Sequence, residues 1–218
     1  MAMEKWIAVM AGTPVDSEMG VAVLEKHGIV GRAYAMAADP IAQTAFQNQK
    51  MAVKMDVIRD TLSEIRACGT EKVFVYCNSL SGAVDFETLA NESGMQIITP
   101  LTVYRQLAQN YTRLGVIAAN AQGLAGIERT LYAANPALHV LGATLLPVVE
   151  AIEMSEKPQD IVRRYGLAAL IEWYAACDLE AVILGCTHFP YFKDELSKQS
   201  ALPMIDPAEE MVRLLKVD

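Results

Sequence analysis

The stretch ACGTEKVFVYCNS, residues 67–79, recurs in outline as ACDLEAVILGCTH, residues 176–188. Both read Ala-Cys, two residues, Glu, one residue, Val, three residues, Cys. Five of the thirteen positions are identical, and Cys77 and Cys186 stand 109 residues apart, half of a 218-residue chain. In each copy an amphipathic segment ends near Ala-Cys, a tight turn follows, and a short apolar run leads to the second cysteine. An apolar run set between helix-length amphipathic segments is the pattern of a strand buried on both faces of a parallel sheet. The repeat therefore reads as a βα unit present once in each half of an α/β protein.

Outward from these two copies the same alternation continues. Strands are expected at 6–12, 31–37, 72–77, 95–99, 113–119, 139–145, 181–186 and 202–205. Helices are expected at 41–67, 82–93, 101–110, 121–134, 159–177 and 207–216. The expected fold is two similar open parallel-sheet α/β domains related by pseudo-two-fold internal symmetry. The first spans 1–99 and the second 100–205, with Pro100 at the boundary and 206–218 returning to the first. Ligands of open α/β sheets bind at the carboxyl ends of strands. If the halves face each other, Cys77 and Cys186 look across a shared cleft, which would be the active site.

Composition narrows the class. Hydrophobic residues make up 53% and charged residues 20%, which is globular. A net charge of −8 gives no nucleic-acid footprint, so no nucleic-acid partner is expected. No apolar run is long enough to span a membrane, and the start, MAMEKWIAVMAG, lacks the features of a signal peptide. The four cysteines do not form a disulfide framework for a chain with a full core. A cytoplasmic protein with reduced thiols is expected.

Cys68 and Cys177 sit near helix ends, ahead of their strands, and are read as small packed hydrophobes. Cys77 and Cys186 are instead followed by hydrogen-bonding residues where a helix should begin, and there the thiolate gains from the helix dipole and free N–H groups. Two such thiols on opposite sides of a small molecule suit one task. One removes a proton from carbon while the other donates a proton to the opposite face, inverting the centre. Asn78 and Ser79 after the first cysteine, and Thr187 and His188 after the second, would cradle the substrate's carboxylate. His188 either polarises the substrate or lowers the Cys186 pKa, or else it is a capping or packed histidine. The segment AGTPVDSEMG (11–20) is either a ligand-touching turn or a loop with an Asp or Ser helix cap. No metal is expected, because Cys186-Thr187-His188 offers two ligands and nothing completes a set. Cys-x-x-Cys, Gly-x-Gly-x-x-Gly and P-loop motifs are missing.

GCTHFP (185–190) and VYCNS (75–79) resemble the two cysteine signatures of the aspartate/glutamate racemases, with Ser79 in place of the usual Thr. VDS (15–17), LGVIAA (114–119), LPVVE (146–150) and IDPAEEMVRLL (205–215) resemble further segments of that family in order. The resemblance implies Cys77 and Cys186 as the catalytic acid/bases, with Asp16, Ser17, Asn78, Ser79, Thr187 and His188 contacting substrate. It also implies catalysis without pyridoxal phosphate or other cofactor, and a homodimer. The family's usual Pro-Tyr-Gly substrate element is missing, and the nearest candidate for its place is FQNQK (46–50), which makes Asn48 a substrate-binding candidate beside Gln47. The expected activity is racemisation of a free acidic amino acid, glutamate ahead of aspartate. Alternatives are a related two-cysteine isomerase, such as a hydantoin racemase or maleate isomerase, or a non-catalytic amino-acid-binding protein.

Overall fold

A computed structural model describes residues 5–215. The chain divides into two compact units. One comprises the segment through Thr102 together with the segment from Ala208, and the other runs Val103–Pro207.

In the first unit β1 (Trp6–Ala11) leads through α1 (Pro14–Lys26) to β2 (Val30–Ala35). Next come α2 (Pro40–Gln47), α3 (Met51–Ala67) and β3 (Lys72–Val75), then α4 (Asn78–Ala83), α5 (Phe86–Ser93) and β4 (Gln96–Ile98). After α6 (Pro100–Asn110) the second unit follows with β5 (Arg113–Ala118), α7 (Ala121–Ala134) and β6 (His139–Thr144). It continues with α8 (Leu146–Glu153), α9 (Pro158–Arg164), α10 (Leu167–Ala176), β7 (Ala181–Gly185), α11 (Pro190–Ser197) and β8 (Met204–Ile205). The last element, α12 (Pro207–Leu215), falls almost wholly in the first unit.

Each unit holds a four-stranded sheet, ordered β2-β1-β3-β4 in the first and β6-β5-β7-β8 in the second, and every pairing is parallel. The two α/β sheets expected from the sequence are thus present with the same strand order. β1, β3, β5 and β7 are buried almost throughout, as strands covered on both faces must be. β2 and β6 lie at sheet edges and are partly exposed.

Helix periodicity explains which faces are covered. On α3, Met55, Ile58, Leu62 and Ile65 form one apolar stripe in the same cluster as Ala8, Met10, Val73 and Val75 of the sheet. On α10, Leu167, Ile171 and Tyr174 join Val182 and Leu184 in the second core. Fully buried side chains such as Phe74 and Ile58 each contribute on the order of 1.5–3 kcal/mol of transfer free energy. On the other face of the first sheet α1 comes close at Gly20, where a Cβ would lie 2.6 Å from Val9 Cγ1 and 2.7 Å from Tyr76 Cβ.

Three expected helices are shorter than their periodicity suggested. The segment 41–67 breaks at Asn48–Lys50, where Lys50 turns extended (ψ 143) before α3. The segment 159–177 breaks at Gly166, which adopts φ 64, a conformation open to glycine. Asp85 starts α5 afresh by accepting from the Thr88 N–H. The segment 11–20 is the opposite case. Thr13 caps the helix, Pro14 occupies its first position, and Asp16 and Ser17 lie in the first turn of α1 rather than in a loop.

Candidate active site

Strand order decides where the chemistry collects. β1 and β3 are neighbours, but the chain leaves β1 toward β2 on one side and returns to β3 on the other. The carboxyl ends of β1 and β3 therefore form the switch point where open α/β sheets bind ligands. Gly12 follows β1 and Cys77 follows β3 at this point. The second sheet repeats the arrangement with β5 and β7, and Cys186 follows β7.

Cys77 is buried and is the N-cap of α4, its sulfur accepting from the Leu80 N–H at 3.5 Å. The Ser79 hydroxyl lies 3.4 Å from the same sulfur. Two side chains from α2 join them. Gln43 Nε2 lies 3.7 Å from Cys77 Sγ and 3.4 Å from Ser79 Oγ, and Gln47 Nε2 donates to Ser79 Oγ at 2.9 Å. Asp16, half-buried in α1, acts on the thiol through its charge.

Burial pushes the Cys77 thiol above its ordinary range, since a thiolate loses its hydration there. The Ser79 hydroxyl pulls it back, the Asp16 carboxylate pushes it up again, and the N–H groups of Leu80 and Gly12 pull it down. Burial wins. This corrects the expectation of a lowered thiol: α4 is a single short turn and half of one more, and its dipole does not offset desolvation.

Cys186 has different company. It is buried, with its sulfur 3.7 Å from His188 Nδ1. His188 Nε2 lies 3.6 Å from Glu153 Oε1 at the end of α8. Cys186 does not cap a helix. It opens a turn closed by the Phe189 N–H on the Cys186 carbonyl, and Phe189 precedes α11. Thr187 is half-buried in that turn.

Of the remaining sequence candidates, Ser17 is fully buried and donates its hydroxyl to the Thr13 carbonyl at 2.9 Å. Asn78 is half-buried at the start of α4, and Asn48 is exposed at the C-cap of α2. From the FQNQK stretch it is Gln47, with Gln43 one turn earlier, that reaches the cysteine loop. Gln43 and Glu153 were not singled out in the sequence. Both lie on amphipathic helices far along the chain from the cysteines they serve, and only the one-turn spacing of Gln43 from Gln47 could have pointed to the former. The other cysteine pair also repeats: Cys68 and Cys177 are the C-caps of α3 and α10. Cys177 packs against the second core as expected, whereas Cys68 is exposed rather than packed. Among the described residues no three His, Cys, Asp or Glu side chains converge on one point where a metal could sit.

The chemistry open to these two loops is proton transfer: each offers a thiol with donors around it. Comparison with known proteins gives a consistent picture. The model of the Asp/Glu/Hydantoin racemase family matches residues 99–215. A glutamate racemase of Limosilactobacillus reuteri (strain DSM 20016) is 28% identical over 149 residues, covering 66% of this chain and 55% of that protein. The chain thus spans little more than half the length of that curated relative. A glutamate racemase structure from Francisella tularensis, in complex with D-glutamate, matches with a TM-score of 0.69 at 18% identity, over 97% of this chain and 79% of that one. An aspartate racemase homologue from Pyrococcus horikoshii OT3 matches with a TM-score of 0.69 at 16% identity, over 98% of each chain. At these identities the two structures share the fold.

Proposed function

The chain belongs to the Asp/Glu/Hydantoin racemase family, and on that premise we propose that it racemises a free acidic amino acid, glutamate ahead of aspartate, by acid–base chemistry between Cys77 and Cys186. The observation that carries the reading is the duplication itself. Each sheet sets one buried thiol at the carboxyl end of its third strand in chain order, next to the strand ends of its switch point. A reaction that must run in both directions needs an acid and a base that can exchange roles, and a repeated unit supplies them. Curated relatives named glutamate racemases favour glutamate.

The proposed step balances simply. A thiolate takes the α-proton, the electron pair passes into the adjacent carboxylate, and the other thiol returns a proton to the opposite face. One sulfur ends as thiol and the other as thiolate, and the reverse reaction starts from that state. The mechanism requires the two sulfurs to address opposite faces of one α-carbon. Cys77, pushed toward its protonated form by burial, is the proton donor of the resting enzyme. Cys186, beside the His188 imidazole, is the first base. Asn78, Thr187 and Asp16 supply polar groups for the substrate's carboxylate and ammonium groups, while Ser79 faces the Cys77 sulfur. No cofactor enters this scheme. Among the described residues no helix is long and apolar enough to cross a membrane. Cytoplasmic residence and a homodimer complete the reading.

The test is α-proton exchange in heavy water, followed by proton NMR, on D- and L-glutamate and D- and L-aspartate, with the Cys77→Ala/Cys186→Ala double variant as control. Exchange with loss of optical purity on one amino acid, missing in the control, supports the reading and names the substrate. Silence on all four from folded protein rejects it and redirects the search to hydantoin substrates.

A further inference from the structure

We propose that Gln43 is a further functional residue of this site: its side-chain amide, seated in the space left open by Gly12, donates to the Cys77 sulfur and, with Ser79, holds the thiolate when its proton leaves. The inference rests on the reading of Cys77 as an acid/base, and the contacts that carry it lie entirely within the first unit.

The number of protons available decides which group donates to which. A hydroxyl has one proton to donate and two lone pairs with which to accept. Ser79 Oγ receives the Gln47 amide at 2.9 Å and faces the Gln43 amide at 3.4 Å. Amide nitrogens only donate, so both serine lone pairs are engaged, and its one proton is left for the Cys77 sulfur at 3.4 Å. The second hydrogen of the Gln43 amide is directed at the same sulfur, 3.7 Å away. With the Leu80 N–H at 3.5 Å and the Gly12 N–H, four neutral donors converge on one sulfur. This is a long-range set, and it tightens when the sulfur becomes an anion, because hydrogen bonds to charged acceptors are shorter and stronger.

Two features hold the set in place. A Cβ at position 12 would lie 2.0 Å from Gln43 Nε2 and 2.3 Å from its Cδ, so the amide occupies room that only glycine leaves there. Buried Lys54 of α3 donates to the Gln47 carbonyl at 3.1 Å, anchoring the carboxyl end of α2. The charged groups facing this loop are Asp16 from α1, whose carboxylate opposes the thiolate, and Lys54 from α3; α4 itself carries none. An anion formed beside an acidic neighbour is held best by donors that do not titrate. The Gln43 amide is one such donor to the sulfur, and the Gln47 amide acts only through Ser79.

The experiment is a titration of the ultraviolet thiolate absorbance, taken as the difference between each protein and its Cys77→Ser counterpart. Gln43→Met keeps the length of the side chain and removes the donor. The ionisation midpoint of Cys77 should rise by about half a pH unit to one unit, the scale of one weak hydrogen bond to a charged group. Gly12→Ala should move it the same way by displacing the amide, and Gln47→Met should move it less. Should Gln43→Met fail to fold, Gln43→Asn withdraws the amide by one methylene and is read in the same way. A midpoint unchanged or lowered in a folded Gln43 variant overturns the proposal. The titration needs no turnover, so a raised midpoint in a protein that racemises nothing supports the Gln43 contact while rejecting Cys77 as a base. Turnover with an unmoved midpoint does the reverse.

Discussion

The Cys186 sulfur lies 3.7 Å from Nδ1 of His188, whereas Cys77 meets the Gln43 amide, the Ser79 hydroxyl and the Leu80 N–H within its own unit. The two thiols occupy matching places in matching sheets and yet have chemically different neighbours, one with an ionisable ring and the other with neutral donors and the Asp16 carboxylate. The Glu153 carboxylate, 3.6 Å from the far side of the ring, favours the orientation in which Nδ1 meets the sulfur.

Replacing His188 should therefore affect one half-reaction more than the other. His188→Asn is expected to slow α-proton exchange by on the order of a hundredfold on the enantiomer deprotonated by Cys186, the scale of a positioned proton-transfer partner. Glu153→Gln, removing an exposed carboxylate, should cost far less. Because the two enantiomers are equal in energy, racemisation must slow equally in both directions. The check is therefore solvent deuterium exchange into each enantiomer separately, and equal losses of exchange on the two would count against a role at Cys186 alone.

Single cysteine substitutions separate the two bases. Cys77→Ser and Cys186→Ser should each reduce racemisation at least about a hundredfold. Each variant should retain slow α-proton exchange on only one enantiomer, the one facing its remaining thiol. Deuterium incorporation compared with optical rotation reads both quantities, and full racemisation by either variant would refute the two-thiol mechanism.

Gly20→Ala tests the packing behind the first cysteine loop. The added methyl would meet Val9 Cγ1 at 2.6 Å and Tyr76 Cβ at 2.7 Å, atoms close to the backbone that do not swing aside. Overpacking of this kind costs about 1–3 kcal/mol. Thermal unfolding followed by circular dichroism should show the midpoint falling by about 2–4 °C for each kcal/mol lost. Because Tyr76 directly precedes Cys77, the Cys77 titration should shift as well.

Tyr174 predicts an alkaline limit for the second unit. Its ring is fully buried, its hydroxyl donates to the Val116 carbonyl at 3.2 Å, and burial pushes its pKa up to about 12 from the model-peptide value of 10.0. The fold favours the protonated phenol, so this contribution is whole below the unfolded value and is lost as the pH rises from 10.0 toward about 12. Tyr174→Phe should be less stable at neutral pH by about 1 kcal/mol, the worth of one hydrogen bond. Its stability should also fall less steeply across that alkaline window, as denaturant midpoints measured against pH would show.

The alternation of apolar runs and amphipathic segments was enough to place all eight strands within a residue or two, because a strand covered on both faces must be apolar along its length. Helix ends were less legible. Nothing in the periodicity of 41–67 marks the stop at Asn48, the C-cap of α2. Gly166 did carry a signal, since a glycine inside a helical pattern often marks its end, and so did Thr13-Pro14, a cap followed by proline at the first helical position.

The sequence by itself determined the chemistry on offer: two thiols at repeated positions, polar residues beside each, and two parallel sheets to carry them. These are properties of local composition and period, and they survive in a linear string. Only the tertiary structure decided which partners each thiol has. Gln43 lies 34 residues from Cys77 and Glu153 lies 35 from His188, so neither contact is encoded in any short motif. The direction of the Cys77 shift was likewise settled by packing, because desolvation depends on how many atoms surround the sulfur, and a helix start read from sequence does not report that number.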